Sequence, residues 1–178
     1  MQVEVLRLSH RIGRDPRLST HVALTARAFL ADKLYYSGQH DSSLENSVNN
    51  VTRQFGSNFK IIYEKSPIKL INEKKKQDYL VVHLSMYGMS LKETLQKIKK
   101  NKKMLVIVGS EKVPPEIYKL SDFNISITSQ PISEVSALAV FLHEIFNKKE
   151  LKNKFRNASK TIVPQERGKN IINKQYNI

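Results

Sequence analysis

The chain has 178 residues, and its 30 Lys and Arg outnumber its 16 Asp and Glu, which gives a formal net charge of +14 and a sequence pI near 9.9. This length suits one domain, and with 40% apolar residues its core needs no covalent or metal staple. Cysteine is absent, which excludes a disulfide framework, a thiolate nucleophile and metal sites built on sulfur. No window approaches about 20 uncharged apolar residues, so we expect no secretory leader, no membrane span and a cytoplasmic protein.

Strands and helices alternate along most of the chain. Alternation of apolar and polar residues predicts a strand over residues 3–8. Further strands are predicted over residues 33–36, 59–63, 79–84, 104–108 and 123–127, of which 79–84 and 104–108 are almost continuous apolar runs. Helices are predicted between them: one capped by Ser19 or Thr20, others over residues 42–55, 67–76, 90–100 and 114–120, and a last one from residue 133 to about 146. This alternation predicts an α/β fold on a mostly parallel sheet, with the ligand site at the carboxyl ends of the strands.

The end of the chain departs from this pattern. Residues 161–164 and 169–172 are short β-like segments around a turn that contains Gly168, which predicts a β-hairpin. Residues 148–178 carry nine Lys and Arg against two Glu, half of the net charge of the chain. We therefore predict a domain over residues 1–150, a basic hairpin extension over residues 151–178, and a polyanionic partner such as nucleic acid.

Three connections that follow buried strands have the composition of ligand-binding loops. They are residues 86–88, 109–114 and 128–134. Glycine lets backbone amides approach a ligand closely, and Gln130, Ser133 and Glu134 bring an amide, a hydroxyl and a carboxylate to the start of a helix. These loops predict a site for a polar, nucleoside-like cofactor. The alternative, that Gly109 closes a turn and that Ser133 and Glu134 cap a helix, stays open.

Other cofactor and metal signatures are missing from the sequence. No Walker A motif and no G-x-G-x-x-G motif follows a predicted strand, which disfavours a P-loop or an ordinary dinucleotide-binding fold. The five histidines have no metal-ligand spacing, so no metal site is predicted. His83 lies inside an apolar run, and we interpret it as a core histidine with its hydrogen bonds satisfied.

Several segments, in order along almost the whole chain, resemble one known family. They are residues 8–29 (LSHRIGRDPRLSTHVALTARAF), 83–88 (HLSMYG), 107–114 (IVGSEKVP), 130–140 (QPISEVSALAV) and 163–169 (VPQERGK). These segments resemble the archaeal tRNA cytidine-56 2′-O-methyltransferases. The resemblance implies a SPOUT-class fold with a C-terminal deep trefoil knot, a C-terminal hairpin, a homodimer, and S-adenosylmethionine as the cofactor.

The same resemblance implies which residues hold the cofactor, through apolar side chains and main-chain groups. They are Leu84, Gly109, Ser110, Glu111, Lys112, Val113, Ile127, Thr128, Ser129, Gln130, Pro131, Ile132, Ser133 and Glu134. The chain departs from the family at three positions: Ser110 stands where Ala is usual, Ile132 where His is usual, and Leu30 where Gly is favoured. We expect the first two to be tolerated and the third to alter only local packing.

Related ribose methyltransferases use an arginine near the N-terminal motif, poised by the substrate phosphate, to help deprotonate the ribose hydroxyl. Leu24 occupies that position here, so the role must move to a neighbour. We predict Arg17 for it, with Arg14 as the second candidate. Residues predicted to bind RNA are Arg11, His21, Arg27, Arg167 and Lys169. Two alternatives stay open: Arg27 has a structural role, and the arginines bind tRNA phosphates without a catalytic role.

The resemblance therefore predicts S-adenosylmethionine-dependent 2′-O-methylation of cytidine 56 in the T-loop of tRNA. Two other functions remain open at this point. One is a non-catalytic basic tRNA- or RNA-binding module of the same fold. The other is an unrelated α/β enzyme that acts on a small acidic metabolite.

Overall fold

Six parallel strands form the central sheet of the protein. The structure is a computed structural model that describes residues 1–14, 16–109 and 112–173. The strands are β1 (Gln2–His10), β2 (Lys33–Gly38), β3 (Lys60–Tyr63), β4 (Leu80–Ser90), β5 (Lys103–Val108) and β6 (Phe123–Ser126). Their order in the sheet is β3-β2-β1-β5-β4-β6. The predicted α/β architecture on a mostly parallel sheet is confirmed.

Helices cover both faces of this sheet. They are α1 (Pro16–Ala28), α2 (Ser42–Phe55), α3 (Pro67–Lys76), α4 (Leu91–Ile98), α5 (Pro115–Leu120) and α6 (Glu134–Ile145), and a short 3₁₀ helix follows at Lys149–Lys152. The larger core cluster lies between the sheet and α1, α2, α4 and α6, and the smaller one between the sheet and α3 and α5. Strands β1, β4 and β5 are therefore covered on both faces, which explains the almost continuous apolar runs of β4 and β5 and the burial of the polar residues Glu4 and Arg7 in β1.

Helix α1 begins earlier than the sequence predicts. The predicted caps, Ser19 and Thr20, lie inside the helix, which starts at Pro16. The Ser19 hydroxyl is buried and lies 2.8 Å from His10 Nδ1, so it is engaged by the end of β1 rather than by a helix terminus. Proline suits the first turn because its missing N–H would have no partner there.

Strand β4 is longer than predicted, and residues 86–88 are part of it rather than a following loop. Both Leu84 and Met89 pair with Ile125 of β6, so residues 85–88 bulge out of the ladder before pairing resumes at Ser90. Gly88 lies in this bulge, where a Cβ atom would come within 2.4 Å of the Asn124 backbone carbon. A glycine is needed for so close an approach of two backbones.

Helix α1 ends with a residue in the left-handed conformation. The N–H of Ala31 donates to the Ala26 carbonyl (2.9 Å) and that of Leu30 to the Arg27 carbonyl (3.3 Å), the pattern of a Schellman motif. Leu30 takes φ = 68° there. The expectation that this departure from the family alters only local packing is therefore wrong, because the position demands a backbone conformation that glycine adopts without strain.

The C-terminal extension forms the predicted hairpin, β7 (Lys160–Val163) paired antiparallel with β8 (Asn170–Asn173). The segment before it packs against the ends of α1 and α2. Gly56 follows α2 with φ = 75°, and a Cβ atom there would meet the Arg156 carbonyl at 2.4 Å. The extension is thus anchored on the side of the sheet that carries α1 and α2.

Candidate active site

A cavity of about 350 Å³ lies at the carboxyl ends of β4, β5 and β6. Its walls come from the β4 bulge, the segments that follow β5 and β6, and the first turn of α6. The lining residues are His83, Leu84, Ser85, Met86, Tyr87, Gly109, Val113, Tyr118, Ile125, Ile127, Thr128, Pro131, Ile132, Glu134 and Ala137. The cavity is at the sheet edge where parallel α/β proteins bind ligands.

Most of the sequence-predicted cofactor residues are brought together here. Eight of them line the cavity: Leu84, Gly109, Val113, Ile127, Thr128, Pro131, Ile132 and Glu134. Four others, Lys112, Ser129, Gln130 and Ser133, are exposed and are not part of its lining. The Ser133 hydroxyl accepts from the N–H of Val135 (3.2 Å), so it caps α6, as the alternative interpretation held. Ser110 and Glu111 lie outside the described residues.

One wall of the cavity contains a hydrogen-bonded cluster that sequence reasoning missed. His83 Nδ1 lies 2.9 Å from Asn124 Oδ1, and Asn124 Nδ2 donates to the Tyr118 carbonyl at 2.9 Å. The Tyr118 hydroxyl lies 3.2 Å from Ser85 Oγ. Burial lowers the pKa of the His83 imidazole despite the bond to Asn124, so the ring is neutral at pH 7. His83 is the satisfied core histidine that we expected, and it also faces the ligand cavity.

A buried arginine of β1 reaches two segments of the cavity. Arg7 is fully buried, and its Nη1 donates to the carbonyls of Leu8 and Gly109, each at 2.5 Å. Its Nη2 lies 3.4 Å from Glu134 Oε1. The sequence signal for Arg7 was weak, because a polar residue in an alternating strand normally predicts exposure to solvent.

Gly109 lies in close contact with the Val113 side chain. A Cβ atom at Gly109 would come within 2.3 Å of Val113 Cγ2, so a larger residue would force the Val113 side chain to move. Both residues line the cavity. That Gly109 lets the backbone approach a ligand stays a prediction.

The candidate catalytic arginines lie apart from this cavity. Arg17 is in the first turn of α1, not in a loop as predicted, and lines a second cavity of about 230 Å³ between α1 and α2. Its other lining residues are Thr20, His21, Asp41, Ser43, Leu44 and Ser47. Arg14 is exposed in the turn before α1. Among the described residues, the two cavities share no lining residue.

The predicted RNA-binding residues divide into two groups. His21, Arg167 and Lys169 are exposed and Arg11 is half-buried. Arg27 is 6% exposed; its guanidinium donates to the Gly56 carbonyl and lies 4.9 Å from the centre of the Phe155 ring. The prediction that Arg27 binds RNA is wrong, since its guanidinium is used to hold the C-terminal segment against α1.

Within residues 1–14, 16–109 and 112–173, no group of three or more His, Asp and Glu side chains could hold a metal ion. No helix in the described part of the chain is both long and apolar enough to cross a bilayer.

Comparison with known proteins identifies the family. Residues 55–172 match the family profile described as tRNA ribose 2′-O-methyltransferase, aTrm56. The tRNA (cytidine(56)-2′-O)-methyltransferase of Methanocaldococcus jannaschii is 49% identical over 180 residues, covering 99% of each chain.

Among solved structures, the A. aeolicus TrmH/SpoU tRNA modifying enzyme has a TM-score of 0.63 at 19% identity, covering 85% of this chain and 77% of that one. The SpoU methyltransferase AviRb from Streptomyces viridochromogenes, in complex with AdoMet, has a TM-score of 0.61 at 17% identity, covering 83% of this chain and 58% of that one. The architecture is thus that of SpoU methyltransferases, and by sequence this chain belongs to the aTrm56 family of tRNA ribose 2′-O-methyltransferases.

Proposed function

We propose that this protein transfers a methyl group from S-adenosylmethionine to the 2′-oxygen of cytidine 56 in the T-loop of tRNA. The observation that carries the proposal is the cavity at the ends of β4, β5 and β6, whose walls contain eight residues expected at a cofactor site. Close relatives bear the same activity in their names, and that of Methanocaldococcus jannaschii is 49% identical. The net charge of +14 suits a polyanionic substrate.

The cavity suits a nucleoside cofactor in size and chemistry. Its volume of about 350 Å³ is at the lower end of the range of small-molecule sites. Leu84, Val113 and Ile127 offer aliphatic surface for an adenine ring, and Gly109 lines the same cavity. The Glu134 carboxylate gives the cavity one acidic group for a positively charged part of the ligand. When bound, S-adenosylmethionine supplies an electrophilic methyl group.

We propose that Arg17, with Arg14 as the second candidate, assists loss of the ribose proton. A guanidinium stays charged at neutral pH, so it acts by holding a substrate phosphate and stabilising the developing oxyanion rather than by accepting a proton. The ribose proton passes to water as the O–CH3 bond forms, and the cofactor leaves as the neutral thioether S-adenosylhomocysteine when its S–CH3 bond breaks. Alignment of the 2′-oxygen with the methyl group can supply several kcal/mol of the barrier reduction. Arg17 is exposed in the first turn of α1, which leaves its guanidinium accessible to RNA.

We also propose that the protein acts as a homodimer. Arg14 and Arg17 do not line the cofactor cavity of their own chain, so a second copy could complete the site. Large apolar side chains at and near the cavity mouth are exposed, a feature typical of interaction surfaces. They are Met86 (36%), Tyr87 (76%), Met89 (60%), Ile132 (45%) and Val140 (43%). The deep trefoil knot implied by the family resemblance belongs to this proposal, supported by the SpoU-like architecture.

The basic extension is proposed to bind tRNA. We divide the chain into a methyltransferase domain, residues 1–150, and the hairpin extension, residues 151–178, which carries seven Lys and Arg against one Glu. Arg167 and Lys169 lie exposed around its turn. Arg11 and His21 flank the candidate catalytic arginines in the sequence. Such contacts neutralise phosphates and release counterions, so binding should weaken steeply with salt, and we expect the protein in the cytoplasm with its substrate.

A methyl-transfer assay tests the proposed function. The purified protein is incubated with labelled S-adenosylmethionine and unmodified tRNA transcripts, and the methylated nucleotide is mapped. We expect label at the 2′-oxygen of cytidine 56. Tight tRNA binding, without cofactor binding in isothermal titration, would instead support the non-catalytic RNA-binding module.

A further inference from the structure

Arg7 is a fully buried cation whose partners among the described residues include three oxygen atoms from three parts of the chain. One is the neighbouring Leu8 carbonyl in β1. The second is the Gly109 carbonyl, 102 residues away at the end of β5, and the third is the Glu134 carboxylate in the first turn of α6. Two of these three partners belong to residues that line the proposed cofactor cavity.

A buried guanidinium is costly unless its hydrogen-bonding groups are satisfied. Its planar fork fixes the relative positions of its partners more tightly than a lysine ammonium could. β1 is an inner strand of the sheet, whereas Gly109 directly follows β5 and Glu134 is the first residue of α6. The contacts therefore connect the end of β5 and the start of α6 to a third element, β1.

We infer that Arg7 is a positioning residue for the cofactor cavity. It holds the Gly109 carbonyl against β1 at the end of β5, and it holds the Glu134 carboxylate at the cavity edge. Arg7 does not itself line the cavity, so it acts through these two residues. This inference rests on the proposed function, since it assigns Arg7 a role in binding the cofactor of that function.

The chain offers a matched control for the test. Arg27 is also buried and also donates to a glycine carbonyl, that of Gly56, but it lies away from the cavity on α1. Arg7→Gln, Arg7→Lys and Arg27→Gln are compared by thermal unfolding and by isothermal titration with S-adenosylmethionine. Titration reports cofactor binding without tRNA and without turnover.

We expect Arg7→Gln and Arg7→Lys each to raise the cofactor Kd at least about tenfold, while Arg27→Gln lowers thermal stability and leaves Kd within about twofold of the native value. In steady-state assays, Arg7→Lys should raise KM for the cofactor and leave KM for tRNA unchanged. Native cofactor affinity in Arg7→Lys, which keeps the charge and has the best prospect of folding, would overturn the inference.

A double-mutant cycle tests whether Arg7 affects cofactor affinity through Glu134. If Arg7 acts through Glu134, then Arg7→Lys combined with Glu134→Gln should bind the cofactor no more weakly than the poorer single variant. If the fold-increase in cofactor Kd of the double variant equals the product of the fold-increases of the two single variants, the inference is contradicted. If the native protein itself fails to bind S-adenosylmethionine, the proposed function fails. Native binding with unaffected variants refutes the role of Arg7 alone.

Discussion

Leu30, at the end of α1, allows a test of whether its left-handed backbone conformation lowers the stability of the protein. Leu30 has φ = 68°, the left-handed conformation that costs a residue with a Cβ atom about 1–2 kcal/mol. Replacing it by glycine removes that cost but also removes a half-buried side chain. The useful comparison is therefore between Leu30→Ala and Leu30→Gly, since both variants lose the side chain and they differ in the Cβ atom alone.

Glycine is the more flexible residue in the unfolded chain, which costs it about 0.5–1 kcal/mol on folding relative to alanine. Subtracting this from the relief of the left-handed conformation leaves Leu30→Gly more stable than Leu30→Ala by about 1 kcal/mol. For a chain of this size, that difference corresponds to about 2–4 °C in Tm. Urea unfolding of the two variants gives the free energies, and calorimetry gives Tm.

The control lies in the same helix. Ala28 is exposed at the last position of α1, where the backbone is helical, so Ala28→Gly should lose about 1 kcal/mol. Glycine in place of alanine should therefore lower the free energy of unfolding at position 28 and raise it at position 30. If glycine is the less stable residue at position 30 as well, the left-handed end of α1 is not a source of strain and our reasoning about it is refuted.

Three more predictions concern the candidate site and the core. Arg17→Ala should leave the cofactor Kd unchanged and reduce methyl transfer about 10²–10³-fold; nearly native turnover would remove Arg17 from the catalytic role. Gly109→Val should abolish cofactor binding in a folded protein, because its Cβ atom would meet Val113 Cγ2 at 2.3 Å, and retained binding would mean that the cavity is misassigned. Burial raises the pKa of the Glu4 carboxyl, but the ammonium groups of Lys74 and Lys33 outweigh it and hold the pKa below its ordinary value. The stability that Glu4 contributes is therefore complete above its unfolded pKa and is lost as pH falls through the lower folded pKa. Urea unfolding should show that Glu4→Gln lowers the free energy of unfolding by about 3–5 kcal/mol at pH 7 and makes it fall less steeply as the pH is lowered. The same pH dependence as in the native protein would contradict the pairing of Glu4 with Lys74 and Lys33.

Local signals were sufficient to predict several elements to their ends. Helix α2 runs over the predicted residues because Asp41 caps it, with Oδ1 accepting from the N–H groups of Ser43 (2.9 Å) and Leu44 (3.1 Å). Helix α3 likewise begins at Pro67, whose fixed φ suits the first turn. In both helices the residue that sets the start lies at the terminus itself, so the sequence alone predicts where the helix begins.

Features that depend on distant partners could not be predicted in the same way. The bulge in β4 is visible only from the pairing of β4 with β6, because the sequence of β4 alone does not show which residues of a neighbouring strand it opposes. Arg7 looks like an exposed strand residue until Gly109 and Glu134 are brought to it. Eight of the residues that line the cavity were predicted from the family resemblance, whereas the contacts of Arg7 and the His83 cluster join residues remote in sequence and were not predicted.

The central claim is that the cavity and the N-terminal arginines together direct a methyl group to a ribose oxygen. The most direct measurement uses two tRNA substrates that differ by one atom, with ribose or 2′-deoxyribose at cytidine 56, and labelled S-adenosylmethionine. We predict label in the ribose substrate at that oxygen and none in the deoxyribose substrate, with equal tRNA binding for both. Equal labelling of the two substrates, or label on a base, would contradict the account.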